Sequence, residues 1–443
     1  MRKPLLALAL FSVLPQAWGD DLLKIYREAV TADATHAGVR AQVEAARERV
    51  VQGRSGLLPQ VNLSGNSKWN DVDVKSDDTS RIPNNSQSFT SWQAGINATQ
   101  PLYRPQNSAT YTQSKVGMTQ AEAQLALSGQ KLMVRVSEAY FAVLLAKDTV
   151  EYLRSQEAAI SEQLAQAKRN FEVGTATITD TYDAQARADL VRAQQVSAKN
   201  DFEVKMRALQ QIIGRLPAKL SVLVDPISLS LPEPNDIDRW VEQAYKSSWE
   251  ISVQKAELDR IEAELTKARG GRKPTLDAVS GFSYDSTKNI SFGVGTDTQN
   301  FFVGIEAAYP LYSGGNLSAR VREAIANRSK TAQDYEFTRR QVAQSTREAF
   351  LGVVSGLAEI KALDQALASN KLSLDATKLG QEVGVRTQVD VLNAQERLFS
   401  ARRDLQRARY SAIVNQLKLK QAVGKLTERD IEVLNTLLRE AKS

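Results

Sequence analysis

The chain of 443 residues has no cysteine and a single histidine, His36. Without cysteine, it can form no disulfide, thiolate metal site or cysteine nucleophile, and no lipid can be attached at an N-terminal cysteine. One histidine also excludes histidine-clustered metal sites and most catalytic triads, and His36 itself fits a packing or surface role. The sequence therefore predicts no catalytic, cofactor-binding or metal-binding residues.

Long apolar runs are also missing beyond the first twenty residues. A transmembrane helix needs about 18 to 20 such residues, and no later segment has them. The formal net charge of +6 is spread along the chain, with Lys and Arg alternating with Asp and Glu. That pattern is typical of solvated helical surfaces, whereas nucleic-acid binding favours a concentrated basic face. We therefore expect no nucleic-acid partner.

The N-terminus has the layout of a secretory signal peptide. A short basic head precedes an apolar run over 5–14, and the small residues Ala17 and Gly19 then form a cleavage site. We expect residues 1–19 to be removed and the mature chain to begin near Asp20, outside the cytoplasm. A buried N-terminal helix is the alternative interpretation.

The remainder consists of two copies of one unit. Glu172 and Glu382 lie 210 positions apart, and the residues around them match at the same spacing. The matching residues are Val173, Gly174, Thr177, Asp180, Ala184, Gln185 and Arg187 with Val383, Gly384, Thr387, Asp390, Ala394, Gln395 and Arg397. Agreement in several blocks at one spacing indicates a duplication. We predict a first repeat over 20–225, a second over 226–430 and a C-terminal tail over 431–443.

Proline is absent from 106–216 and from 311 onward. Because proline breaks helix interiors, these gaps are where long helices can form. The gaps are rich in Ala, Leu, Gln, Glu, Lys and Arg, with apolar residues three or four apart. They predict long helical hairpins over 106–213 and 316–424, the first helix being roughly 100 Å long. An intracellular coiled-coil rod would share these features.

Two segments with alternating apolar and polar residues precede the long helices. They predict two-strand hairpins over 59–103 and 274–312, with polar loops over 71–88 and about 285–300. Each alternating run is about ten residues long, which suits a transmembrane β-strand. A half-buried soluble hairpin is the alternative for either pair. Four strands cannot close a barrel, and open edges are not tolerated in lipid, so copies of the chain must share one. Three copies would supply twelve strands.

Several motifs resemble the TolC-type outer-membrane efflux protein family. They are the segment 382–394, the segment 405–426, the first-repeat segment 171–180 and the Pro-Leu-Tyr-Ser-Gly-Gly sequence at 310–315. The resemblance covers about 21–435. It implies a mainly α-helical homotrimer that combines a long α-helical coiled-coil barrel with a shared 12-stranded membrane β-barrel. It also implies a passive, gated outer-membrane duct for multidrug efflux, type I protein secretion or both. The implied partners are outer-membrane lipid, a periplasmic membrane-fusion adaptor and an inner-membrane pump of the ABC or RND type.

The resemblance also implies functional residues in the two helical turns. They are a pore selectivity ring at Asp390; a periplasmic gate of Thr179, Asp180, Gln381, Arg386 and Asn393; and adaptor-docking turns of Val173, Gly174, Thr175, Val383, Gly384 and Val385. In the gate, Arg386 would face Thr179 and Asp180. Gln381 replaces the family's tyrosine and Asn393 replaces a second pore aspartate, which predicts a weaker gate and ring.

The residues themselves support simpler roles at the same positions. Gly174 and Gly384 suit a reversal of chain direction, and Asp180 and Asp390 suit the capping of helix N-termini. Two other classes of protein are the alternatives. An enzyme is disfavoured because the glycine-rich segments lack the context of a phosphate-binding motif. A periplasmic coiled-coil adaptor or scaffold without a pore would explain the helices and leave the alternating segments unexplained.

Overall fold

The computed structural model describes residues 20–75, 85–224, 229–290 and 294–439. The predicted signal peptide lies outside these ranges and stays a prediction. The structure divides into two compact units. The terminal unit comprises Met1–Val39, Ala126–Trp249 and Gln341–Ser443; the sheet unit comprises Arg40–Leu125 and Glu250–Arg340. Each unit contains segments of both sequence repeats, so the repeats are a duplication of sequence and do not fold as separate domains.

Helices dominate the described residues. They are α1 (Leu22–Ala32), α2 (Ala34–Ser55), α3 (Pro105–Glu172), α4 (Ile178–Ile213), α5 (Ile237–Ser247), α6 (Trp249–Gly270), α7 (Asn316–Glu382), α8 (Gln388–Ala422) and α9 (Glu428–Asn435). Helices α3 and α7 contain 68 and 67 residues, which confirms the long helices predicted from the proline gaps. Pro105 is the first residue of α3, where a missing N–H costs nothing. Among the described helices, none has both the length and the apolar character to cross a membrane.

The main sheet has four antiparallel strands in the order β1-β2-β4-β5. The strands among the described residues are β1 (Gln60–Val74), β2 (Asn85–Tyr103), β3 (Val222–Leu223), β4 (Thr275–Ile290), β5 (Val294–Ala308) and β6 (Leu438–Arg439). Strand β2 pairs with β4 and so joins the two repeats in one sheet. The four strands per chain were predicted and are confirmed.

The predicted loops were too long. Strand β1 continues to Val74 and β2 starts at Asn85, while β4 and β5 narrow the second loop in the same way. In the β1–β2 hairpin, the strands continue past the segment of alternating apolar and polar residues, and polar residues pair there. For example, Ser88 Oγ donates to Asp71 Oδ1 at 2.9 Å. Apolar periodicity underestimates a strand whose end pairs through polar side chains.

The core of the terminal unit contains residues from both repeats. Tyr140 on α3 is fully buried, and its hydroxyl donates to the Ser221 carbonyl oxygen at 2.8 Å. Around it pack residues of α1 and α8, including Leu22 and Ile413. This cluster explains why the unit gathers three separate stretches of chain.

The C-terminal segment is folded where the sequence predicted a tail. Helix α9 buries Ile431 and Leu434, which lie three positions apart and therefore on one face. Strand β6 then pairs with β3. The described part of 431–443 is therefore an integral element of the terminal unit.

In the sheet unit, an ion pair joins the end of β2 to β4. Arg104 Nε donates to Asp277 Oδ1 at 2.8 Å, and Nη2 donates to Oδ2 of the same carboxylate. Asp277 is 5% exposed, so this two-point pairing compensates a buried charge. Arg104 directly precedes α3, so the contact also fixes where that helix leaves the sheet.

Candidate functional site

The turn between α3 and α4 reverses the chain through a glycine. Gly174 has a φ of +79°, in the left-handed region that side-chain-bearing residues disfavour. The Thr175 N–H donates to the Asn170 carbonyl oxygen at 2.8 Å, and the Gly174 N–H donates to that of Phe171 at 2.9 Å. These bonds satisfy carbonyl groups that the end of α3 would otherwise leave unpaired.

The turn between α7 and α8 has the same geometry. Gly384 has a φ of +81°, and the Val385 N–H donates to the Gly380 carbonyl oxygen at 2.9 Å. The two turns are thus structural copies, as the sequence repeat predicted. A role for both glycines in reversing the chain is confirmed.

Each following helix begins with a capping box. In the first turn, the Thr177 N–H donates to Asp180 Oδ2 at 3.0 Å, and the Asp180 N–H donates back to Thr177 Oγ1 at 3.3 Å. Thr387 and Asp390 make the same pair of bonds at 2.9 and 3.2 Å. The capping role predicted for both aspartates is confirmed.

Capping also determines the charge of Asp390. Hydrogen bonds from the N–H and hydroxyl of Thr387 lower the pKa of Asp390 below its ordinary value, and the nearby Arg386 and Arg397 lower it further. This carboxylate is therefore negatively charged at neutral pH.

The side chains at the tips of the turns are open to solvent. Val173, Val383 and Val385 are all exposed apolar residues, and Thr175 is exposed beside them. Exposed valines on a tight turn bury little of their side-chain surface within the described chain. They form a small apolar surface on each turn.

The predicted gate residues are only partly brought together within one chain. In the part of the chain that the structure describes, Arg386 makes no hydrogen bond or ion pair with Thr179 or Asp180. Gly380 lies so near the Arg386 side chain that a Cβ there would be 2.8 Å from Arg386 Cγ. Gln381 donates to Gln388 across its own turn. Any pairing of Arg386 with Thr179 and Asp180 must therefore involve a second copy or a different conformation.

A contact that the sequence did not predict joins the first helical hairpin (α3 and α4) to the second helical hairpin (α7 and α8). Arg187 Nη2 on α4 donates to Asn393 Oδ1 on α8 at 2.8 Å, and Nη1 lies 3.5 Å from Glu396 Oε2. Leu392, beside Asn393, is 2% exposed and packs among residues of α3 and α4. The one available signal was that both repeats carry an arginine at this position, Arg187 and Arg397.

One face of the four-stranded sheet is apolar and exposed. A row of directly opposite residues crosses all four strands: Leu63, Ile96, Phe282 and Phe301. Leu63 is 80% exposed and Phe301 is 72% exposed. Val61 and Val303 extend the same face. A continuous apolar face of this kind is unfavourable in water and suits contact with lipid.

The opposite face of the sheet is mostly polar. Asn66 Nδ2 donates to Gln93 Oε1 at 2.9 Å, and Ser283 Oγ donates to Asp285 Oδ2 at 3.0 Å. Phe302 also lies on this face, where its ring covers Gly281. The sheet therefore has one side suited to lipid and one suited to water.

No cluster of three or more His, Cys, Asp or Glu side chains able to hold a metal ion is found among the described residues. His36 is buried, and its Nδ1 is 3.1 Å from Ser128 Oγ. That environment matches the packing role expected for it.

The sequence matches the family described as "Outer membrane efflux protein" twice, over residues 28–215 and 240–425. It is 34% identical to "Outer membrane protein TolC" of Vibrio cholerae over 445 residues, covering 99% of both chains. It is 27% identical to "Proteases secretion protein PrtF" of Dickeya chrysanthemi, covering 96% of this chain and 92% of that protein. The two family matches fall one in each sequence repeat.

The fold matches solved structures as well. The Campylobacter jejuni CmeC outer membrane channel superimposes with a TM-score of 0.79 at 16% identity, covering 94% of this chain and 90% of that one. At this identity the likeness establishes the fold alone.

Proposed function

This chain belongs to the outer membrane efflux protein family, and on that premise we propose that three copies form one passive, gated exit duct. It is a TolC-type channel protein of the outer membrane. The alternative of a periplasmic adaptor or scaffold without a pore is not supported, because the named relatives are channel and secretion proteins matched over almost their whole length. The observation that best supports the proposed duct is the family match in both halves of the chain.

The sheet supports the proposed sharing of a barrel. Strands β1 and β5 are the two edges of the four-stranded sheet, and unpaired edges are not tolerated in lipid. Pairing β5 of one copy with β1 of the next removes every edge, and three copies then supply twelve strands. The apolar face would contact outer-membrane lipid, and the polar face would line the lumen.

The helices supply the periplasmic part of the duct in this proposal. The turns with exposed Val173, Val383 and Val385 would dock a periplasmic membrane-fusion adaptor, and an inner-membrane pump of the ABC or RND type would deliver cargo. We propose no reaction for the chain itself. PrtF is named for the secretion of proteases, which favours type I protein secretion alongside multidrug efflux as candidate uses of the duct.

The gate would close between neighbouring copies. Because Arg386 does not reach Thr179 or Asp180 within one chain, we propose that it faces those residues of the adjacent copy. Gln381 and Asn393 would complete the gate. Asp390, which is negatively charged at neutral pH, would form a ring of three carboxylates that favours cations at the mouth.

Single-channel conductance of the purified, detergent-extracted protein in a planar bilayer tests this proposal. We expect discrete, cation-preferring steps, and a higher open probability for Arg386→Ser. Arg192→Ser is the matched control, because Arg192 pairs with Glu157 and Asp189 inside the first hairpin. Silence from well-folded trimers would overturn the duct, whereas equal gating of both variants and the parent would remove only the gate.

The proposed ring of Asp390 carboxylates can be tested in the same planar-bilayer recordings. We expect Asp390→Asn to weaken block by a multivalent cation added on the periplasmic side. Asp189→Asn is the control, since Asp189 is an exposed carboxylate paired within α4. Equal block in Asp390→Asn and the parent would remove the ring from the proposal.

A further inference from the structure

Residues that the repeat relates occupy different environments in the two hairpins. At the 210-residue spacing, Leu392 corresponds to Tyr182 and Asn393 corresponds to Asp183. Arg397 is likewise the counterpart of Arg187. Where one residue of a pair makes a contact and its counterpart is exposed, the exposed residue lies on a surface that lacks the equivalent partner.

The contact made within one chain joins the first hairpin to the second. Arg187 donates to Asn393 at 2.8 Å, and Leu392 completes a buried cluster whose other members come from α3 and α4. The other buried members of that cluster are Ile160, Leu164, Ala167, Ala184, Ala188 and Val191. The second hairpin thus supplies one apolar and one polar side chain to the surface of the first.

The counterpart side chains are exposed. Tyr182 is 67% exposed, although the residue related to it by the repeat, Leu392, is 2% exposed. Asp183 and Arg397 are also exposed. Within the described ranges, the side chains of Asp183 and Arg397 make no hydrogen bond or ion pair, and Arg397 lies near Asp390 of its own helix. Tyr182 and Asp183 on the first helical hairpin and Arg397 on the second are what the two uncovered sides of the same interface would present.

The surface that would receive Tyr182 is also present. The cluster around Leu164, Ala184 and Ala188 corresponds by the repeat to the second-hairpin cluster around Leu374, Ala394 and Leu398. In the described chain, the second cluster contains no buried residue from the first hairpin. It therefore lacks the counterpart of Leu392.

We infer that Tyr182 and Asp183 of one copy dock on the second hairpin of the next copy, with Asp183 paired to Arg397. This inference rests on the proposed trimer. In a ring of three chains, first and second hairpins alternate, so the interface seen within a chain must recur, in related form, between chains. Tyr182 would pack beside Leu374 and Leu398, as Leu392 packs in the first hairpin.

The recurring interface differs in the groups that meet the arginine. Arg187 meets the Asn393 amide and, at 3.5 Å, the exposed Glu396 carboxylate within the chain, whereas Arg397 would meet the carboxylate of Asp183. Asp183 would take the place of the neutral Asn393, so the contact between copies would be an ion pair that a gate separating the copies would have to break.

Thiol crosslinking in intact outer membranes tests the inference, and the absence of native cysteine makes the background clean. With Asp183→Cys and Arg397→Cys in one chain, a short bifunctional thiol reagent should produce bands at about two and three times the mass of the chain. Arg187→Cys with Asn393→Cys is the matched control, and it should crosslink only within a chain. Each single cysteine variant should give no such bands.

The outcomes separate this inference from the proposed function. If the parent protein is a trimeric, conducting channel but Asp183→Cys with Arg397→Cys gives no bands between chains, the inference is overturned and the duct stands. If the parent is neither oligomeric nor conducting, the proposed function itself fails.

A charge exchange tests the pairing independently of crosslinking. Asp183→Arg alone places two cations together and should raise the open probability severalfold. Asp183→Arg combined with Arg397→Asp should restore the parent value. If the double variant has the open probability of Asp183→Arg alone, the pairing is overturned. It is also overturned if Asp183→Arg alone has the open probability of the parent.

Discussion

The buried carboxylate of Asp148 on α3 leads to a prediction about stability and pH. The Tyr410 hydroxyl of α8 donates to Asp148 Oδ2 at 2.7 Å. Burial raises the pKa of Asp148 from 3.8 to about 6, although the hydrogen bond from Tyr410 opposes that shift. Among the other groups that face it, Glu151 raises the pKa and Lys147 lowers it. Tyr152, whose own pKa burial raises to about 12, also lies within electrostatic reach.

The sign of the effect follows from proton binding. Between about pH 4 and 6, the folded chain holds a proton on Asp148 that the unfolded chain has released. The folded state is therefore most favoured by this group below pH 4, and the contribution is lost as the pH rises through 6. Raising the pKa of Asp148 from 3.8 to about 6 corresponds to about 3 kcal/mol per chain.

Asp148→Asn removes this ionisation. We expect the variant to be more stable than the parent at pH 7.5, by up to about 3 kcal/mol per chain, and to match it near pH 4. The measurement is thermal unfolding of the detergent-extracted protein, followed by circular dichroism between these pH values. Tyr410→Phe is the companion variant. It removes a donor to the ionised carboxylate, so the pKa of Asp148 should rise further and the loss of stability should continue to a higher pH.

Two results would refute this reasoning. One is a set of parallel stability curves for the parent and Asp148→Asn, because the carboxylate would then titrate alike in both states. The other is an Asp148→Asn variant that is less stable than the parent at pH 7.5, because its buried amide would then cost more than the charge it replaces.

Two further predictions concern the ends of helices. Thr387→Ala removes the acceptor that caps α8 and should cost about 1 kcal/mol in thermal unfolding; Thr387→Ser should retain most of the parent stability, and equal loss in both would contradict the capping role. Gly424 and Gly214 are related by the repeat and have φ values of +69° and +79°. A Cβ on Gly424 would collide with the Ser247 carbonyl oxygen, whereas one on Gly214 would lie 3.7 Å from the Ala32 Cβ. Gly424→Ala should therefore abolish folded protein in the outer membrane, while Gly214→Ala should cost about 1–2 kcal/mol of folding stability. The measurement is an immunoblot of outer membranes. Equal levels of the two variants would show that the space around each glycine does not decide the outcome.

Much of the fold could be predicted because its signals are local. The gaps in proline predicted where α3 and α7 lie, and the alternating segments predicted four strands per chain. The ends of the strands were harder to predict from the sequence, because the outer parts of β1 and β2 pair through polar residues such as Asp71 and Ser88 that interrupt the apolar pattern. The C-terminal strand β6 was missed because two residues paired with the distant β3 leave no periodic signal.

For the candidate site, the sequence identified the positions of the turns and the capping aspartates. The turn glycines and the capping boxes follow from bonds between residues only a few positions apart, so a short motif contains all the partners. The contact of Arg187 with Asn393 was not predictable in the same way, because its partners are 206 positions apart.

The sequence by itself therefore determined the kinds of element, their order, their duplication and the shape of the two turns. Only the tertiary structure decided which surfaces meet: that β2 pairs with β4, that each compact unit combines both repeats, and that Leu392 is covered while Tyr182 is exposed. The physical reason is that periodicity along a chain reports how much of an element is buried. The identity of the covering partner depends on which distant segments the fold brings within contact distance.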